Sequence, residues 1–161
     1  MIATGGLSYP STGSTGDGLR FAKSLGHKIA PCVQSLVGLN CKGDFSSLHG
    51  LSLTNVSLFA KRGGKVIFSE QGEMLFTHYG ISGPLVLSLS ARINRLPFAE
   101  LSCYIDFKPA LDRETLDARL VRDLSERKNE QMKNVMRGLL PSALCLPVLK
   151  GAGIDPLKQA N

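Results

Sequence analysis

A chain of 161 residues, 43% hydrophobic and 20% charged, fits one domain or two small ones, can bury a real core, and lies outside the disordered class. Its net charge of +6 suits an acidic partner, but no basic run exceeds two residues (Lys61-Arg62, Arg127-Lys128). With only three Tyr, seven Phe and no Trp, a basic face studded with aromatics is not expected, so the reading is no nucleic acid.

In chain order, Met1-Ile2-Ala3-Thr4 reads as the end of a strand. It runs into a loop rich in Gly, Ser and Thr that reaches Gly18. Asp17 is placed to open a helix that Gly26 stops. A loop of small and hydroxyl residues feeding a helix N-terminus suits a phosphate or another anion. A domain rarely starts with such a loop, so the expectation is an internal fragment of something longer. His27–Ala30 and Ser35–Leu39 read as short strands on either side of Pro31. Apolar residues at 51, 53, 56 and 58 alternate with one slip, as a bulged strand does. Gly63-Gly64 signals a hairpin, with Lys65–Ser69 returning antiparallel. Gln71-Gly72 reads as another turn, and Glu73–His78 as a third strand.

Ser82 and Pro84 predict a helix start, with an apolar helix from about Leu85 to Asn94. Glu100–Phe107 alternates and rejoins the sheet. Beyond Pro109 the pattern turns helical. Asp112 caps a helix to about Lys128, a second covers Gln131–Leu139, a third runs from Pro141 through Leu149, and a fourth begins at Asp155-Pro156. The fold class is α+β: a small antiparallel β-barrel or curled sheet followed by a helical insert subdomain.

Cys32, Cys41, Cys103 and Cys145 form no CxxC pair, and His27, His49 and His78 lack ligand spacing, so no metal is expected. Reduced thiols, no secretory signal and no apolar run of membrane length predict a cytoplasmic protein with no membrane partner. The chemically richest stretch is Thr77-His78-Tyr79-Gly80-Ile81-Ser82, a polar corner between a strand and a helix. Glu73 is a second candidate base beside it, although an exposed strand carboxylate reads the same way. There is no GxSxG elbow, GxGxxG or Walker loop.

Ala3-Thr4-Gly5-Gly6 resembles the ATGG turn of two-dinucleotide-binding flavoproteins. The run Gly6–Gly18, the stretch Gly50-Leu51-Ser52-Leu53, and Gly72-Glu73-Met74-Leu75-Phe76-Thr77-His78-Tyr79-Gly80-Ile81-Ser82-Gly83-Pro84 narrow the resemblance. Together they resemble the BaiN-type, aminoacetone-oxidase-like family of FAD-dependent oxidoreductases. The resemblance covers most of residues 2–109 and, more weakly, the helical tail.

It implies three parts: 1–30 as a partial Rossmann remnant of the FAD-binding domain, 31–109 as β-barrel, and 110–161 as a truncated helical insert. It places Thr4, Gly5, Gly6, Ser8, Thr12, Gly13, Ser14, Thr15, Gly16 and Asp17 against FAD. Thr77 and His78 take the catalytic role, with Gly80 and Ser82 lining the substrate cavity near the isoalloxazine ring. FAD is the parent protein's cofactor, with NAD(P)H as a reductant. The GxGxxG strand is missing, so no tight FAD binding or activity is expected of this chain alone. Its expected partners are the missing FAD-binding domain, a small-molecule substrate, and a second copy pairing through exposed barrel edges. The alternative is a non-catalytic module binding a ligand or a protein.

Overall fold

The computed structural model describes residues 1–161, which form two compact units, Met1–Val33 and Gln34–Asn161. In the first, α1 spans Asp17–Ser24. Gly16, at φ +81°, takes the capping position assigned to Asp17. Asp17 lies inside the first turn, where the helix dipole favours a carboxylate, and pairs with Arg20. The Gly16 amide donates to the Gly6 carbonyl at 3.1 Å and folds the glycine loop back on itself. Residues 1–4 and 27–30 lie in no β-ladder, because an extended segment becomes a strand only beside a hydrogen-bonding neighbour. The leading segment packs instead on α1: a Cβ on Gly18 would sit 2.5 Å from Thr4 Oγ1 and 2.7 Å from Ile2 Cγ2.

The second unit is a curled antiparallel half-barrel with helices. Its strands are β1 (Leu39–Asn40), β2 (Ser52–Arg62), β3 (Lys65–Thr77), β4 (Gly80–Ser82) and β5 (Leu101–Asp106), in the order β1-β4-β3-β2-β5. The slip expected between Leu53 and Val56 is a bulge at that position, opposite Met74 and Gly72. Gly63 and Gly64, at φ +53° and +78°, make the β2–β3 turn. Gln71-Gly72 is no turn: β3 runs through it unbroken. There Gly72 faces α2 (Pro84–Ile93), whose Leu85 Cδ2 lies 3.4 Å from where a Cβ would sit, an ordinary packing contact. β5 joins β2, pairing Leu58 with Ile105 and Ala60 with Cys103.

Val56, Leu58, Ala60, Met74 and Phe76 of the sheet and Leu85, Val86, Leu89 and Ile93 of α2 are all buried in one core. Side chains from the two edge strands, Leu39 of β1 and Leu101, Cys103 and Ile105 of β5, line one cavity of about 630 Å³ with Phe45, Phe76 and Ile81. That shared lining shows how far the sheet curls. Ser82 belongs to β4 and does not cap α2; Gly83, at φ +95° and ψ 173°, occupies the cap.

Beyond β5, Asp112 caps α3 (Arg113–Glu126) by accepting from the Thr115 amide at 2.7 Å. The second helix is shorter than its sequence pattern suggests: α4 (Met132–Val135) tightens into a 3₁₀ turn at Met136–Gly138. Arg127 holds this bend, gripping Glu130 at 2.6 and 2.8 Å and donating to the carbonyls of Asn134 (3.0 Å) and Val135 (3.1 Å). α5 covers Ser142–Gly151. No fourth helix forms after Asp155. That segment turns back, and Gln159 bridges to Gln131.

Candidate functional site

The site residues fall in two groups, one in each unit. In the first unit Thr4, Gly5, Gly6 and Ser8 line a cleft of about 510 Å³. Its other walls are Ile2, Leu7, Leu19 and Val33 among apolar side chains and the small residues Gly18 and Ala22. The cleft is narrow where small residues meet: a Cβ on Gly5 would lie 2.8 Å from Ser14 Oγ, and one on Gly16 2.7 Å from Leu7 Cδ2. Gly6 has nothing within 4 Å of its own Cβ position, so its backbone presents an open face.

Thr12, Gly13, Ser14, Thr15, Gly16 and Asp17 do not line the cleft; they shape the loop behind it. Thr12 donates from both its amide (2.9 Å) and its hydroxyl (2.7 Å) to the Tyr9 carbonyl, which fixes Tyr9 at φ 54°. Gly13, at φ +90°, donates to Pro10 and accepts from Thr15, both at 3.0 Å. Asp17 is occupied by Arg20 and by the Thr15 hydroxyl at 3.3 Å. A cleft walled by small residues and an open peptide suits one side of a flat aromatic cofactor such as FAD. No Lys or Arg side chain lines the cleft, so it brings no cation to the pyrophosphate. The residues present therefore fit part of FAD and not the whole.

In the second unit Thr77 and Gly80 pair across the tight β3–β4 hairpin, with His78 and Tyr79 at its tip. Gly80, at φ +152°, is required because β1 crosses directly against it. A Cβ there would sit 2.2 Å from the Leu39 carbonyl oxygen and 2.7 Å from the Cys41 amide. The Cys41 amide in turn donates to the Tyr79 carbonyl at 3.0 Å, and burial pushes the Cys41 thiol up. Thr77 Oγ1 is buried with no hydrogen-bond partner. An orphaned hydroxyl in a polar corner costs free energy unless a ligand group completes it. The His78 ring meets Tyr79 edge to face at 4.9 Å.

His78 also meets His49 edge to face at 5.5 Å. The sequence reading missed His49 because histidine spacing carries no signal. What brings it here is backbone pairing: the Gly50 amide donates to Phe76 and the Phe76 amide to Leu51, both at 2.9 Å. The quoted motif Gly50-Leu51-Ser52-Leu53 begins one residue after His49, and that is where the signal lay. Ser82 is half-buried in β4, one strand position beyond buried Ile81. Glu73 lies in the β2–β3 bulge, outside the hairpin tip. The paired histidines, Tyr79 and Thr77 can exchange protons and hydrogen bonds with a polar ligand. No three His, Cys, Asp or Glu side chains converge as metal ligands, and no helix is long and apolar enough to cross a membrane.

Residues 33–161 match the family described as HI0933-like protein barrel and H2TH domain. Among curated proteins, the chain is similar to a 3-dehydro-bile acid delta(4,6)-reductase of Clostridium scindens, 30% identical over 89% of this chain and 36% of that protein. It is also similar to a ribosomal RNA dihydrouridine synthase of Escherichia coli, 32% identical over 100% of this chain and 39% of that protein. A protein of the same name from Haemophilus influenzae is 39% identical over 56% of this chain and 22% of its own length. The chain thus spans well under half the length of these relatives. With its curled sheet, helical tail and matched residues 33–161, the chain belongs to the HI0933-like barrel and H2TH family of FAD-dependent flavoprotein oxidoreductases.

Proposed function

We propose that this chain is the barrel and helical part of a longer FAD-dependent reductase that saturates an electron-poor carbon–carbon double bond. Residues 1–30 would be the remnant of its FAD-binding domain, 31–109 the barrel and 110–161 the helical insert. The observation that carries the reading is the hairpin tip, where Thr77 Oγ1 is buried without a partner at the end of β3 and the next residue, His78, meets Tyr79 and His49 edge to face. Two relatives with different substrates support the chemistry. One is named as a reductase of a 3-dehydro-bile acid, the other as a maker of dihydrouridine, and each name describes addition of hydrogen to a double bond conjugated with a carbonyl.

When bound, FAD supplies the hydride, taken from NAD(P)H. The chain's own residues orient the substrate and supply the proton. Thr77 Oγ1 donates to the substrate carbonyl, and His78 protonates the carbon beside it. His78 is exposed at the hairpin tip and regains that proton from solvent directly, while the edge of His49 steadies its ring. Thr4, Gly5, Gly6 and Ser8 hold one wall of the flavin site, and the remaining wall belongs to the missing FAD-binding domain. On this reading the isolated chain neither binds FAD tightly nor turns over. The free outer edges of β1 and β5 suit pairing with further strands, either of the longer chain or of a second copy.

The first substrate reading is a small conjugated ketone. A second, a uracil base of ribosomal RNA, is favoured by the whole-chain coverage of the E. coli relative and the net charge of +6. The test is anaerobic incubation of the longer protein with NAD(P)H and either a conjugated steroid ketone or unmodified ribosomal RNA, with product read by mass spectrometry. Addition of two hydrogens to either substrate supports the reading. Failure with both, together with an absence of flavin, favours the non-catalytic binding module.

A further inference from the structure

The outer face of the sheet carries a feature that the hairpin site does not use. Phe59 of β2 and Tyr104 of β5 are register partners, and their rings stack with centroids 5.2 Å apart at 9°. Lys61, two positions along the same face, sets its Nζ 5.0 Å from the Tyr104 centroid and 5.7 Å from that of Phe59. No carboxylate pairs with Lys61; the next residue, Arg62, pairs with Glu100 at 2.7 Å. Tyr104 is 45% exposed and Val66, opposite Lys61 on β3, 55% exposed. Around them the face carries the polar side chains Ser57, Ser69, Gln71 and Ser102. Its carboxylates lie toward one end: Asp106, opposite Ser57, accepts from the Lys108 amide at 2.8 Å, and Glu73 follows Gln71 along β3.

Solvated lysines are ordinary, and so are cross-strand aromatic pairs. This arrangement combines an exposed ring, pre-oriented by a stacked neighbour, with a cation held over it and left without a counter-charge. A flat base that stacks on Tyr104 displaces the Lys61 ammonium from over the ring onto the base's own phosphate, and the serines and Gln71 offer hydrogen bonds to base edges. Stacking platforms for single strands use this combination. We propose that the Phe59–Tyr104–Lys61 face of β2 and β5 is a docking platform for unpaired RNA, with one base on Tyr104 and the adjacent phosphate on Lys61.

This inference rests on the ribosomal RNA reading given above. Charge complementarity selects the occupant: a protein partner would leave the Lys61 ammonium unpaired or require an acidic patch, whereas every nucleotide brings both a ring and an anion.

The test uses the 161-residue chain and a fluorescein-labelled octauridylate, with binding read by anisotropy across a salt series. Tyr104→Ala is expected to weaken binding about 5- to 150-fold, the range for one lost base stack. Tyr104→Phe, which keeps the ring, should bind within about threefold of the original chain. Lys61→Gln should lower the slope of log affinity against log salt by about 0.7, one single-strand phosphate contact. Circular dichroism and thermal melts of each variant separate loss of the platform from loss of the fold. The proposal is overturned if the original chain shows no saturable binding, if Tyr104→Ala binds as well as Tyr104→Phe, or if the salt slope ignores Lys61. Dihydrouridine formation by the longer protein is scored separately. If it persists when the platform test fails, the platform alone falls; if it is absent while the platform binds, the ribosomal RNA reading falls.

Discussion

Replacing Gly80 with Ala tests how the hairpin corner is built. The new Cβ would lie 2.2 Å from the Leu39 carbonyl oxygen and 2.7 Å from the Cys41 amide, both backbone atoms that no rotamer change can move. Gly80 also sits at φ +152°, where a side chain adds strain of about 1–3 kcal/mol. Holding every pair in place while absorbing both strain and overlap would cost roughly 2–6 kcal/mol. The structure has a cheaper escape. β1 pairs with β4 over only two residues, and the Cys41 amide adds one more bond to Tyr79. Letting β1 go sacrifices a few hydrogen bonds at about 1 kcal/mol each, so the expected loss is about 2–3 kcal/mol.

The fold should therefore survive Gly80→Ala with β1 detached. In urea melts the midpoint drops, and in hydrogen exchange the amides of Cys41 and Ile81 lose protection while those of Leu58 and Ala60 keep theirs. Gly50→Ala is the control. Its φ is +82° but no atom lies within 4 Å of its Cβ position, so only the backbone cost of about 1 kcal/mol applies. Equal effects of the two substitutions, or an undiminished midpoint for Gly80→Ala, would refute the close-approach argument.

Two further predictions concern the core and the helical tail. Leu89→Ala, at a fully buried position on α2, should cost about 2–5 kcal/mol in denaturant melts, and Leu89→Met under about 1.5 kcal/mol. In the tail, hydrogen bonds from Thr115 to Asp112, from Arg119 to Asp123 and from Arg127 to Glu130 hold these carboxyls below their ordinary values of 3.8, 3.8 and 4.5. A carboxyl whose folded pKa is depressed stabilises the fold above its ordinary value, and that contribution is lost as the pH falls through the folded one. The melting temperature should therefore hold steady down to about pH 4.5 and then fall, and the triple variant Asp112→Asn, Asp123→Asn, Glu130→Gln should have a shallower acid limb; an unchanged limb contradicts the assignment.

The parts of the fold legible in the sequence were those written in local periodicity. The alternation of β2, with its slip between Leu53 and Val56, is present as a bulge, and Gly63-Gly64 turns the chain as such pairs do. Asp112 caps α3. The misread places are those where a residue answers to something distant. Gly72 looks like a turn residue but lies inside β3, paired with Val56 across the sheet and facing Leu85 of α2. Ser82 looks like a cap but is held in β4 by its pairing with Leu75. Asp155-Pro156 looks like a helix start, yet the chain there returns to bridge Gln131. The strands expected at residues 1–4 and 27–30 have the composition of strands and no ladder. Of the site residues, His78 stood out through its neighbours in sequence. His49, 29 positions away, reaches it only because Gly50 and Leu51 hydrogen-bond along β3.

The most direct measurement is an FAD titration of the 161-residue chain, followed by flavin fluorescence and thermal shift, beside the flavin content of the longer protein as purified. The small-residue cleft offers one wall, with no Lys or Arg in its lining to meet the pyrophosphate. The account predicts stoichiometric FAD in the longer protein and no saturable binding to this chain. A purified chain that carries one FAD per molecule, or a longer protein with no flavin at all, would contradict it.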